Sequence, residues 1–488
     1  MAQAQPQTLL ARVHLLASRL SCVDMPKTSK DDLFVVDGQI YDFSEWKFKH
    51  PGGAQFFEVS HGRDISPVIH AYHRNPDHLK PVLAKYKVDI EGKKPESVIA
   101  QSMNVPLFIL PPGFSAERDV PTYDWNKGFL KSVQKKINNP AMQQKIRRAD
   151  KLFDMTALSI LVFHLVVAFP VIYFGLLPWW LLVFVQVITR TALAGVGHYH
   201  CHRGKNGIVD WGDCLFDMQY VGASVVLSDG HVMLHHMYTE TPADVKRTVF
   251  NYVLTLPRLV RVPIFTLQKF SEFFSGHLLR YEVVKLNEER NSTLKSVQYR
   301  FVRLYLVAEM FWAIFCGGLF AWCVQFFFTV WINMFQIVAS HDFELERESQ
   351  EYKNLDWGIF QIQNALDTHI TGNPYVDIFL SAGLSCHRTH HVLPYQKSGF
   401  SNIVSQEAVM KTCEEFGVKW EPTRNLVIDR ILPLMIHYLF APAQIPAEPS
   451  PVLMGGPGVR GFVLEHLQPA VMWKISWNVV MGFTGATV

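Results

Sequence analysis

No two cysteines of this chain stand at CxxC spacing; the seven are scattered from Cys22 to Cys413. That argues against a disulfide framework or zinc knuckle and fits a reducing, cytosol-facing environment. Charge of one sign is equally scarce. Lys and Arg number 46 against 43 Asp and Glu, a net +3, so the overall balance makes no case for nucleic acid. The N-terminus lacks a convincing secretory signal. Its apolar stretch, residues 9–20, is broken by Arg12, His14 and Arg19 and reads as a short amphipathic helix. Charge is also nearly missing from residues 155–196 and 301–340, where Arg190, Arg303 and Glu309 are the exceptions.

Those two segments are what the chain has in place of charge. A spanning helix needs about 20 apolar residues, so each segment holds two, joined by a very short turn. The turns are predicted at Gly175-Leu-Leu-Pro178 and Gly317-Gly318. Arg190 and Arg303 lie near predicted helix ends and are expected to snorkel, whereas the deeper Glu309 is expected to face protein. Lys131, Lys135, Lys136, Lys145, Arg147, Arg148 and Lys151 crowd before the first segment. They suit a solvated helix face and, beside a membrane, a positive-inside anchor. With that anchor in the cytosol, four crossings are predicted.

Nine histidines then stand in three clusters: His198, His200 and His202; His231, His235 and His236; His387, His390 and His391. Imidazole is the commonest metal ligand. On a helix, positions three or four apart share a face, so 198/202, 231/235 and 387/390/391 can each aim two or three nitrogens at one point. The four crossings bring all three clusters to one membrane face. His14, His61, His78, His164, His277, His437 and His466 read as ordinary hydrogen-bonded histidines. Cys201 and Cys386, in or beside clusters, read as small packing residues.

The region before the basic segment is different in kind. Residues 35–44 read as a strand, an Asp37-Gly38 turn and a second strand. His50-Pro-Gly-Gly53 follows, with glycines that admit a flat ligand and a proline that fixes the turn. With Gly38-Gln-Ile-Tyr-Asp and Gly62-Arg-Asp64, about 60 residues resemble the cytochrome b5 family. The resemblance implies a haem held by His50 and by a second histidine that maps to His73, with His70 as the rival. Pro67 departs from the usual helix there. Two axial histidines leave no open position for oxygen, so such a haem carries electrons. Residues 93–150 include Pro106, Pro111, Pro112 and Pro121, which favour a semi-rigid link.

Residues 35–405 together resemble the cytochrome-b5-fusion membrane fatty-acid desaturases. The implied fold is a small α+β haem domain followed by an all-α integral membrane domain of about four transmembrane helices with a cytosolic cap. The expected boundaries are 1–30 for a tail, 31–92 for the haem domain, 93–150 for the linker and basic segment, 151–440 for the desaturase domain and 441–488 for a tail of unknown role. The resemblance implies two non-haem irons on His198, His202, His231, His235, His236, His387, His390 and His391. His341 stands where relatives place a further ligand, and His200 and His369 are expected in supporting roles. Haem b, O2, a long-chain acyl-CoA or acyl-lipid substrate, a cytochrome-b5 reductase and the endoplasmic-reticulum bilayer complete the expectation. A fatty-acyl or sphingolipid hydroxylase and an electron-transfer protein with a dead iron site are the alternatives. Two departures stand out: the third box opens with His387 where front-end desaturases usually have Gln, and three residues separate His231 from His235 where two are common. The first leaves the double-bond position open.

Overall fold

The computed structural model describes residues 33–58, 60, 64–89, 120–203, 212–220, 231–232, 235–241, 244, 262–263, 266–267, 269–270, 273, 293–341 and 352–440. Both tails, residues 93–119 of the proline-rich link, Gly62, His14, His61, His277, His466, and Asn291 and Ser292 of the glycosylation sequon Asn291-Ser-Thr293 lie outside the described residues.

A hairpin opens the described chain. β1 (Leu33–Val36) pairs antiparallel with β2 (Gln39–Asp42). Asp37 and Gly38 both take positive φ, 48° and 70°, the twist that an Asp-Gly hairpin turn supplies. Phe34, Phe43 and Phe57 pack with centroids 5.5–5.6 Å apart to form the small core behind it. Helix α1 (Ser66–Tyr72) follows, then α2 (Lys80–Tyr86). Pro67 fits because it sits in the first turn of α1, where its missing N–H would have had no helical partner.

The body is mostly helical. α3 (Phe129–Ile137) carries part of the basic cluster. α4 (Pro140–Val166) is capped by Asn139, whose side chain accepts from the Ala141 N–H. It runs on through a wider turn, Val167–Val171, that accommodates Pro170, and stops at Gly175, where φ is +60°. α5 (Trp179–Cys201) returns. Among the described residues these two helices, Pro140–Phe174 and Trp179–Cys201, are long and apolar enough to cross a membrane. α6 (Thr293–Phe315) and α7 (Leu319–Ala339) form a second hairpin, turned at Gly317. Leu158, Phe163, Trp180, Phe184, Phe311 and Phe320 project outward, each more than half exposed. An apolar surface of that extent needs lipid or protein to cover it.

Glu309 faces protein as expected, but the two arginines do not snorkel. Arg190 is fully buried, paired with Glu309 and lying over the Tyr220 ring at 4.7 Å. Arg303 is buried 3.7 Å from Asp217. Each has a carboxylate within the protein, which removes the reason to seek the interface. His164 joins the first pair, 3.3 Å from Glu309 and 2.9 Å from Thr189.

The cap over one end of these helices comprises α8 (Trp357–Asn364), α9 (Pro374–Leu380), α10 (His387–Val392), α11 (Gly399–Glu415) and α12 (Leu432–Phe440). β3 (Thr368–His369) and β4 (Arg424–Asn425) pair in parallel beside it. Gly197 lets a neighbouring segment cross the end of α5 at close range: a Cβ there would fall 2.1 Å from the Phe216 nitrogen. The front domain joins this body through α1, whose Val68, Ala71 and Tyr72 pack with α3, Met237 and Trp357.

Candidate metal centre

The front-domain histidines face one another. His50 follows the short helix Lys47–Lys49, His73 ends α1, and their ring centroids are 6.0 Å apart. His50 Nδ1 lies 3.3 Å from the Gly53 carbonyl and His73 Nδ1 2.9 Å from that of Ile69. A carbonyl can only accept, so each Nδ1 donates and Nε2 keeps its lone pair. Two metal–imidazole bonds of roughly 2 Å between the rings call for a centroid gap of about 6 Å, which this pair has. Gly52 provides room, since a Cβ there would sit 2.6 Å from His50 Cε1. Burial lowers the pKa of both rings and favours the neutral form that binds metal. His70 points elsewhere: its Nε2 is 2.9 Å from Asp37, and its ring stacks on Trp125.

The clustered histidines gather in the cap as two groups. One nitrogen each of His198, His202, His231, His236 and His390 lies within 4.8 Å of all the others. The second group, by the same measure, is His235, His341 and His391. His387 stands at its edge, with Nε2 3.1 Å from His391 Nε2 and the ring 4.7 Å from His341. All nine rings are buried.

This grouping corrects the expectation that each box aims at one point. His231 and His235 part company, and the third box is divided between the groups. Adjacent helical residues point about 100° apart, so His235-His236 and His390-His391 must diverge. His231 reaches His236 instead, Nε2 to Nε2 at 3.1 Å. His200 and His369 belong to neither group, and neither does any cysteine among the described residues. Cys201 and Cys386 are buried packing residues.

The donor set suits metal ions. His341 Nδ1 donates to the Asn364 carbonyl at 3.0 Å and His387 Nδ1 to that of Ser340 at 3.2 Å. His391 Nδ1 is 2.9 Å from Gln361 Oε1, an amide held in that orientation because its Nε2 donates to the His236 carbonyl. His235 Nδ1 meets both oxygens of buried Asp244, at 3.0 and 2.9 Å. His202 Nδ1 lies 2.9 Å from the Tyr72 hydroxyl. Bonds of this kind fix the tautomer of a metal-binding histidine and present Nε2 as the ligand. Burial, then the neighbouring imidazoles, drives the pKa of His236 and His391 well down, so both stay neutral. A core of buried neutral imidazoles with inward lone pairs is costly unless something electropositive lies among them.

With the geometry in place, comparison with known proteins becomes informative. Residues 174–420, half of the chain, match the family model for fatty acid desaturases, and residues 20–89 match that for the cytochrome b5-like haem/steroid-binding domain. The chain belongs to the fatty acid desaturase family. This desaturase is 20% identical over 434 residues to a probable Delta(5) fatty acid desaturase C of Dictyostelium discoideum, covering 80% of this chain and 87% of that one. It is 21% identical over 221 residues to Delta(5) fatty acid desaturase A of the same organism, and 22% over 219 residues to its acyl-lipid (8-3)-desaturase B. Each of those two matches covers 43% of this chain and 42% of the relative. No solved structure matches the desaturase.

Sequence reasoning missed the groups behind the histidines. Asp244 and Thr239, the latter 3.2 Å from His391 Nδ1, stand in no repeat or motif, and nothing in the sequence ties Gln361 or Tyr72 to a particular ring. Only the fold brings them to the rings they hold.

Proposed function

We propose that this desaturase uses O2 to introduce a double bond into the acyl chain of a fatty acid or lipid, with electrons arriving through its front domain. The observation that carries the reading is the pair of buried imidazole groups, in which the outer nitrogens of His202, His235, His341, His387 and His391 are tied to a phenol, a carboxylate, two carbonyls and an amide. In this reading His198, His202, His231, His236 and His390 hold one iron, and His235, His341, His387 and His391 the other. Bound there, two irons supply the oxidising power for an unactivated C–H bond, which protein acids and bases lack. The histidines fix position, Asp244 and Gln361 hold their rings, and burial excludes water. His50 and His73 hold haem b from both sides, which suits electron transfer.

The domain limits follow at 31–92 for the haem domain and 151–440 for the desaturase domain, with 93–150 between them and tails at 1–30 and 441–488. Four crossings, through α4 to α7, keep the histidine boxes and the haem domain on the cytosolic face of the endoplasmic reticulum. A cytochrome-b5 reductase delivers electrons there, and the substrate is a long-chain acyl-CoA or acyl-lipid. Asn291-Ser-Thr293 should stay unmodified in this topology, and a glycan on Asn291 would place it in the lumen and overturn the four crossings.

Mass spectrometry of lipids from cells expressing the chain tests the chemistry. Desaturation yields a product lighter by two hydrogens, with the double-bond position read from fragmentation. A product heavier by one oxygen would make the chain a hydroxylase. No product from iron-loaded protein would leave an electron carrier.

A further inference from the structure

The haem domain and the five-histidine group meet through Tyr72. It ends α1, one residue before His73. Its hydroxyl lies 2.9 Å from His202 Nδ1 and 3.5 Å from the Val232 carbonyl, and its ring is parallel to that of His202 within 10°, with centroids 6.0 Å apart. With Nε2 of His202 turned to its group, Nδ1 carries the hydrogen and donates to the tyrosine oxygen, and the hydroxyl donates to Val232. Phe56, Val68 and Tyr72 from the front domain pack with Cys201 and Val232 around this contact. The route from the His73 ring to the His202 ring is therefore one stretch of backbone, one side chain and one hydrogen bond, with no gap to jump.

We propose that Tyr72 is the coupling residue of this enzyme: it seats the haem domain on the five-histidine group and provides the electronic contact between them. The proposal rests on the reading that His50 and His73 hold haem and that His202 holds an iron. One electron leaves the haem iron, which goes from ferrous to ferric, and one ferric ion in the five-histidine group becomes ferrous. Tyr72 is neither oxidised nor reduced, and no covalent bond changes.

The test uses the full-length holoenzyme in detergent, under argon, with haem and non-haem iron ferric and no substrate present. A photochemical one-electron donor reduces the haem, and its absorbance then reports reoxidation. Tyr72→Phe keeps the ring and removes the hydroxyl. It should retain the haem spectrum and haem potential and, once reloaded with non-haem iron to the wild-type content, slow reoxidation by roughly tenfold, in proportion to the loss of one hydrogen bond. Val68→Ala, which loosens the same patch but leaves the hydroxyl, should stay near the wild-type rate. Wild-type speed in Tyr72→Phe overturns the proposal, as does equal slowing in Val68→Ala. Tyr72→Phe protein that cannot be reloaded with iron overturns it too, since the tyrosine would then be required for the ligand and not for the transfer. If the wild-type haem holds its electron indefinitely, the ligand assignment itself fails, a result distinct from the other three.

Discussion

The front domain and the cap both offer inward-facing histidines, but they position them by opposite means. In the front domain each ring is held from within its own segment: His50 by Gly53 three residues on, His73 by Ile69 four residues back. In the cap the holders are distant. His387 is held by Ser340, 47 residues away, His391 by Gln361, 30 away, and His202 by Tyr72, 130 away. A site held by its own turn survives separation from the rest of the chain. A site held by remote partners exists only when the whole body is folded.

The largest effect that can break this contrast is loss of a cap histidine. His391→Ala or His235→Ala should abolish lipid desaturation and deplete non-haem iron, while the bis-histidine haem spectrum persists because His50 and His73 are held from within the front domain. Metal analysis beside absorbance spectroscopy reads both halves. Full activity in either variant, or in protein carrying zinc in place of iron, would sink the metal assignment, since zinc has no redox chemistry to offer. Next, residues 31–95 expressed alone should bind haem. His73→Ala should lose the spectrum and His70→Ala should keep it; the reverse outcome would reassign the ligand. A smaller effect tests the holder of His235, nine residues along the chain. Asp244→Asn keeps the shape but weakens the grip on His235, and iron affinity measured by competition with a chelator should fall roughly 10–100-fold. An unchanged affinity would show that the carboxylate contributes nothing to His235. The smallest effect is on the front surface. His70→Ala removes an exposed contact with Asp37 and should cost about 0.5 kcal/mol in thermal unfolding of the haem domain. A cost several times larger would mean that the turn at Asp37 depends on it.

The same contrast explains what could be read from the sequence. The hairpin at Asp37-Gly38, the turns at Gly175 and Gly317 and the buried position of Glu309 follow from local composition. That the boxes meet also follows, because each lies near the end of a long apolar segment or just beyond one. Their division into two groups does not. Shared-face spacing treats a box as one unit, whereas the rotation between neighbouring residues splits His235 from His236 and His390 from His391. The burial of Arg190 and Arg303 was hidden for a related reason: their partners, Glu309 and Asp217, are 119 and 86 residues away in the chain. Polarity shows that an arginine needs a partner without showing that the protein supplies one.

The two histidine dipeptides, His235-His236 and His390-His391, each lend one ring to either group, and the His236 and His391 rings lie 4.3 Å apart. The spacing of the two groups is thus set by covalent backbone on two sides, not by loop length. The segments between the boxes carry the holders Asp244, Ser340 and Gln361 but do not set this distance. A single residue inserted inside either dipeptide would swing one ring by about 100° and leave its group a donor short. Between the two groups the chain carries its own ruler.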